Sequence, residues 1–130
     1  MKIIGIGVDI ISNNRIKKSI NDKKFLDRIF SSNEIRTSKT IKNKSFFFAK
    51  RFAAKESFVK ALGIGFRNNL NFKDVEVRND KLGKPYFHIN QKLKKLIFKL
   101  TKSRNLNFFL SISDEKDYSI AFTIIQKKWN

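Results

Sequence analysis

The stretch Phe48 to Gly63, Phe-Ala-Lys-Arg-Phe-Ala-Ala-Lys-Glu-Ser-Phe-Val-Lys-Ala-Leu-Gly, constrains this chain most, because it is helical by composition and charged where a buried helix should not be. At about 100° per residue, Ala61, Ala54, Phe58, Leu62, Val59 and Phe52 cover roughly half the circumference and form a core-facing arc. Arg51 and Lys55 project from within that arc, while Glu56 and Lys60, four apart, sit side by side along its edge. A helix with only a structural role rarely carries such charges. Gly63 is placed for a left-handed C-terminal cap, and Gly65 would let the following backbone approach a ligand.

The chain around this helix has 130 residues, 41% of them hydrophobic, enough for one domain with a real core and too few for two. No apolar run is long enough to span a bilayer and strand-like residues start at the N-terminus, so neither a membrane anchor nor a signal peptide is expected and a cytoplasmic location is. The absence of cysteine excludes disulfides and thiolate metal sites, and a single histidine, His88, excludes a histidine cluster. Any metal must be held by oxygens, which points to a hard cation such as Mg²⁺. The net charge of +18, from 29 Lys+Arg against 11 Asp+Glu, calls for an anionic partner, although part of the excess fits a drift toward A/T-rich codons.

Lys2 to Ile11 reads as a buried strand whose Gly5 and Gly7 would let another backbone or a ligand come close. Within it stands Asp9, flanked by Val8, Ile10 and Ile11. An ionised carboxylate there is costly unless a lysine, backbone donors or a metal compensates it. Taken alone, Asp9 would more often be a strand-end residue with local hydrogen bonds; Glu56 changes those odds. Ser12, Asn13 and Asn14 can cap a helix starting near Arg15, whose apolar side is Ile16, Ile20 and, further on, Phe25, Leu26, Ile29 and Phe30. Lys17, Lys18, Lys23, Lys24 and Arg28 lie between them, an ordinary solvated face on position alone and otherwise a surface for an acidic partner.

Ser31 to Glu34 signals another cap, for a short helix to about Thr40 in which no chemistry is visible. The central helix follows from Phe46 to Leu62, then an irregular loop in which Asn68 or Asn69 can take a positive φ. Phe72 to Arg78 and Pro85 to Ile89 read as strands joined by a turn at 79–84, and Gln91 to Lys102 as an amphipathic helix. Leu106 to Ser113 and Tyr118 to Gln126 form a last hairpin. The order predicts an α+β fold in which a small antiparallel sheet packs with helices; it has no P-loop and no complete dinucleotide fingerprint. One histidine and no cysteine also rule out the Ser-His-Asp and Cys-His arrangements. What remains is Asp9 and Glu56 as metal ligands, with Arg51, Lys55, Lys60 and Lys84 as anion contacts, a set suited to phosphoryl chemistry.

These residues also carry a resemblance. Gly5-Ile6-Gly7-Val8-Asp9-Ile10 with Arg15-Ile16, then Arg51 to Ala61, then Asn79-Asp80 with Gly83-Lys84-Pro85, then Ser111-Ile112-Ser113 resemble the holo-[acyl-carrier-protein] synthases of the 4′-phosphopantetheinyl transferase superfamily, in the same order and spacing. The short length resembles the single-unit, trimeric branch. The resemblance implies transfer of 4′-phosphopantetheine from coenzyme A to a serine of apo acyl carrier protein, in fatty acid biosynthesis, with release of adenosine 3′,5′-bisphosphate. It makes Asp9 and Glu56 the Mg²⁺ ligands and sets Lys60 on the phosphate under attack; Glu56 or a metal-bound water takes the serine proton. Arg51, Lys60, Gly63 and the Gly83-Lys84-Pro85 turn become coenzyme A contacts, in a site between subunits of a homotrimer. Arg15, Lys18, Lys24 and Arg28 become the docking surface for the acidic carrier protein.

Ser12 stands where that family commonly has glutamate, Ile64 where threonine is usual, Asn69 where glycine is frequent and Asp114 where many members have histidine. None of these removes Asp9, Glu56 or Lys60. The rival from another class is a small basic nucleic-acid-binding module, suggested by the charge and by 14 phenylalanines. Most of those rings fall on apolar faces, no RNA-binding signature is present, and an acidic pair repels phosphates without a metal. Nucleic acid is therefore the weaker reading. A scaffold that keeps the fold without turnover is a third, opposed by the intact Asp9, Glu56 and Lys60.

Overall fold

The computed structural model describes residues 2–64 and 69–128. A long first strand, β1 (Lys2–Ser12), runs into three short helices, α1 (Asn13–Ser19), α2 (Lys23–Ile29) and α3 (Ser32–Ser38), and then into the central helix α4 (Lys44–Leu62). A two-stranded hairpin, β2 (Glu76–Asn79) and β3 (Pro85–His88), leads to α5 (Gln91–Thr101) and to the closing pair β4 (Leu106–Asp114) and β5 (Tyr118–Lys127). The closing strands and β1 make an antiparallel sheet in the order β1-β5-β4, and β2 with β3 makes a separate small sheet. This is the expected α+β architecture, with helices against a small antiparallel sheet.

Why α4 can lie directly on the sheet is visible in β1. A Cβ at Gly5 would run into the carbonyl oxygen of Ala61, and one at Gly7 into that of Ser57 and to 2.7 Å from the Ala61 nitrogen. The close approach the two glycines foreshadow is therefore that of the α4 backbone. Below it, Ser57 Oγ donates to Ala54 O at 2.8 Å and pairs with Thr123 Oγ1 at 2.6 Å, both side chains fully buried. Gly7→Ala should push helix from sheet and cost about 3 kcal/mol, the upper end for overpacking against backbone. A urea titration measures it, and a loss below about 1 kcal/mol would contradict this packing.

The core continues on the other sides of α4. Phe47, Phe48, Ala49, Ala53 and Ser57 are buried along with Ala54, Phe58, Val59 and Ala61 of the expected arc, while Phe52 and Leu62 are only partly covered, so α4 is wrapped on sides the arc did not include. The Phe58 ring packs at a tilt between those of Phe87 and Phe108, at centroid distances of 4.8 and 5.6 Å, tying α4 to both sheets. From α5, Leu93 and Ile97 point into the same core.

Three local expectations are corrected. A helix continuing from Arg15 toward Phe30 is broken into α1 and α2, because Asp22 turns its carboxylate onto Lys24 N at 2.9 Å and caps a new helix. The strand expected from Phe72 begins only at Glu76; Phe72–Asp74 is a short 3-10 turn closed by Asp74, whose carboxylate accepts from Asn71 N. Lastly, β1 is buried on one face only: Ile6, Val8 and Ile10 point away from α4 and are 57%, 52% and 57% exposed. With Ile120, Phe122 and Phe109 they leave an apolar sheet face open to solvent.

Candidate active site

The alternation of β1 decides where its one carboxylate goes. Asp9 follows Gly5 and Gly7 at two-residue spacing, so it shares their face and meets α4 where the helix crosses the strand. Opposite it on β5 is Ala121, fully buried and too small to intrude. Glu56 and Lys60, one helical turn apart, supply the rest. Lys60 Nζ donates to Asp9 Oδ1 at 3.2 Å and to the Val8 carbonyl at 3.0 Å.

Burial holds the Asp9 carboxyl above the usual aspartate range, against the hydrogen bond and charge of Lys60 and the charge of Arg15. Glu56 is also raised, first by burial and then by the negative charge of Asp9, with Lys60 and Arg15 opposing. The Asp9 charge thus reaches Glu56, and two half-buried carboxylates with raised proton affinity side by side are a candidate for holding a cation. Among the described residues no group of three or more His, Cys, Asp or Glu comes together. Two carboxylates nonetheless fit Mg²⁺, which is commonly held by one or two carboxylates while water and substrate phosphates fill its other positions. The ammonium of Lys60 is the positive charge on Asp9 in this structure.

Arg51 and Lys55, the two cations inside the apolar arc, have separate fates. Lys55 is no anion contact: all three of its donors are used inside the protein, on Glu34 Oε1 at 2.7 Å, Phe72 O at 2.9 Å and Val75 O at 2.6 Å. Burial pushes its pKa down and Glu34 works against that shift. Arg51 is also buried, its guanidinium 3.8 Å from the centre of the Phe47 ring. It donates from Nη2 to Asn79 Oδ1 at 2.7 Å, and Asn79 Nδ2 donates to Gly83 O at 2.9 Å. The Gly83-Lys84-Pro85 turn is thereby tied to α4. Asp80 Oδ1 tightens it by accepting from Leu82 N and Lys84 N, and Gly83 takes φ 89°.

Other expected positions fall as follows. Gly63 caps α4 in the left-handed conformation, and Asn69 has φ 69°. Gly65 and Asn68 lie outside the described residues. Ser12 uses its hydroxyl to cap α1, accepting from Arg15 N at 3.3 Å. Arg15 and Lys18 on α1, and Lys24 and Arg28 on α2, are all exposed; Arg15 is the one whose charge reaches both Asp9 and Glu56.

Glu34 escapes a reading of sequence. Its capping-box role is real, Oε1 accepting from Ser31 N at 2.9 Å, and supplies a sufficient surface explanation. In the structure it is fully buried, with Oε2 accepting from Val77 N at 3.0 Å and lying 4.0 Å from Arg51 Nε. The signal was the demand of Arg51 and Lys55 for a buried acid.

Comparison with known proteins adds to this geometry. The sequence profile described as "4'-phosphopantetheinyl transferase superfamily" matches residues 5–123. A holo-[acyl-carrier-protein] synthase of Pelagibacter ubique is 60% identical over 128 residues, covering 98% of this chain and 100% of that protein. Among solved structures, the holo-[acyl-carrier-protein] synthase of Neisseria meningitidis superposes with a TM-score of 0.87 at 37% identity, over 97% of this chain and 100% of that one. The Bacillus anthracis synthase, solved in complex with CoA (3',5'-ADP), gives 0.80 at 37% identity over 97% and 98%.

Proposed function

The chain belongs to the 4′-phosphopantetheinyl transferase superfamily as an enzyme of the holo-[acyl-carrier-protein] synthase kind, and on that premise we propose how its residues move 4′-phosphopantetheine from coenzyme A to a serine of apo acyl carrier protein. The observation that carries the proposal is Asp9 and Glu56, held above the usual carboxylate range on one side of the α4–β1 contact with Lys60 between helix and strand. Their oxygens would hold Mg²⁺. When bound, the ion neutralises charge on the coenzyme A pyrophosphate and polarises its phosphorus–oxygen bonds.

The serine hydroxyl oxygen forms a bond to the phosphorus next to the pantetheine arm, and the bond from that phosphorus to the departing adenosine 3′,5′-bisphosphate breaks. Glu56 accepts the serine proton. Lys60, exposed at its tip, swings from Asp9 to the phosphate and offsets the charge that develops there. Arg51 acts through Asn79, setting the Gly83-Lys84-Pro85 turn against the nucleotide, and Gly63 leaves the end of α4 open beside it. Arg15, Lys18, Lys24 and Arg28 present positive charge to the acidic carrier protein, Arg15 nearest the carboxylates.

The whole chain acts as one domain in the cytoplasm; no helix among the described residues is long and apolar enough to cross a membrane. Three copies associate through the open apolar face, placing the site between subunits. In support, that face is a contiguous apolar surface on a sheet whose other side is already packed. Val8 and Phe122 face each other across the β1–β5 pairing. Changing both to lysine should convert a trimer to monomer in sedimentation velocity; an unchanged mass would remove the face from the interface. The reaction is tested by chromatography of the nucleotide product: adenosine 3′,5′-bisphosphate should appear in step with holo carrier protein and only with a divalent cation. Turnover unaffected by a chelator would sink the metal-centred reading. A nucleic-acid role gains nothing here, since Phe47, Phe48, Phe58 and Phe87 are core.

A further inference from the structure

Away from the carboxylate pair, a cavity of about 510 Å³ lies between α5 and the start of β4. Its floor is apolar, from Ile97, Leu106 and Phe108, and its rim is cationic, from Lys94, Lys95 and Arg104. No acidic side chain lines it, and none of the three rim cations has an ion pair among the described residues. Arg104 instead lays its guanidinium 4.1 Å from the centre of the Phe98 ring, which keeps the head at the mouth of the cavity.

The place of this cavity separates it from the transfer chemistry. Asp9 pairs with Ala121, which pairs with Ile112, whereas Phe108 and Leu106 lie four and six residues back along β4. At roughly 3.3 Å per residue that is about 13 to 20 Å. The strand alternation also turns Leu106 and Phe108 toward the helices, while Phe109 points to the open apolar face of the sheet. A partner on that face would leave the floor of the cavity untouched.

An apolar floor gains by burying alkyl surface, and a rim of cations without acids gains by meeting a single negative charge. The volume lies within the range of small-molecule sites, and the concavity suits one chain better than a flat bilayer surface. We propose that this cavity binds an anionic single-chain amphiphile, an acyl chain lying on Ile97, Leu106 and Phe108 with a carboxylate or phosphate head held by Lys94, Lys95 and Arg104. The site owes nothing to the transferase reading and stands or falls apart from it.

The test titrates the isotope-labelled protein with dodecanoate below its micelle concentration and follows backbone amide shifts. Saturable shifts at Ile97, Leu106 and Phe108 are expected, and dodecyl phosphate should move the same amides; the tighter of the two assigns the head. The exposed-residue double variant Lys95→Gln/Arg104→Gln should bind at least about tenfold more weakly through loss of charge-assisted hydrogen bonds, and neutral dodecanol should be similarly weak. Absence of saturable shifts overturns the proposal. So does equal affinity for dodecanol, equal affinity in the double variant, or binding seen only with phosphatidylglycerol vesicles, which would make the patch a membrane-facing surface.

Discussion

Glu34→Ala should lower the free energy of unfolding by about 3 to 5 kcal/mol, because it strands buried positive charge. Lys55 has no exposed surface and its ammonium would keep only two carbonyls, while Arg51 Nε, already without a hydrogen bond, would lose the nearby carboxylate. Val77 N and Ser31 N would each lose an acceptor too. The sign of the pH dependence follows. Burial already lowers the Lys55 pKa, and without Glu34 it falls further, so the unfolded chain holds a proton that the folded one has released. Stability of the variant should therefore rise with pH from neutral toward the lysine range. Urea unfolding at several pH values measures both effects. The double variant Glu34→Met/Lys55→Met should recover much of the loss, since apolar replacement of a buried pair is often close to neutral. A loss below about 1 kcal/mol in the single variant would show that water reaches the pair.

The second large effect is on activity without that loss of stability. Asp9→Asn and Glu56→Gln should each reduce phosphopantetheine transfer by about a thousandfold or more, the several kcal/mol that a bound metal contributes to the transition state. Both carboxyls are raised by burial, so between each group's unfolded pKa and its higher folded one the folded protein binds protons more readily than the unfolded chain. Stability therefore falls as pH rises through that window, and removing either charge should leave the protein as stable as the parent or more so at neutral pH. For the same reason metal-dependent transfer in the parent should fail on the acid side at a higher pH than ordinary carboxylates would give. Inactive variants that also unfold would instead make the pair structural.

The nearness of Asp9 to Lys60 and Glu56 was legible from sequence because charge in an apolar context is costly wherever it sits. Asp9 among Val8, Ile10 and Ile11 called for a lysine, backbone donors or a metal, and the structure sets Lys60 on it with Glu56 close enough to feel its charge. The two glycines were readable as points of close approach, but which backbone approaches depends on where α4 crosses the sheet, and no local pattern encodes that. Lys55 misled for a related reason: helical spacing places a cation in the core-facing arc without saying that Glu34, on another helix, will meet it. The apolar run of β1 looked buried on both faces, yet only its α4 side is covered within the chain. The division between α1 and α2 turned on one Asp preferring a cap to a helix interior.

The central claim, that Asp9, Glu56 and Lys60 transfer phosphopantetheine to a carrier protein through a divalent cation, is tested most directly by the intact mass of apo acyl carrier protein after incubation with this protein, coenzyme A and Mg²⁺. One phosphopantetheine should be gained per carrier with the parent protein, and none with Asp9→Asn, with Glu56→Gln or in the presence of a chelator. An unmodified carrier with the parent protein, or full modification by either variant, would contradict it.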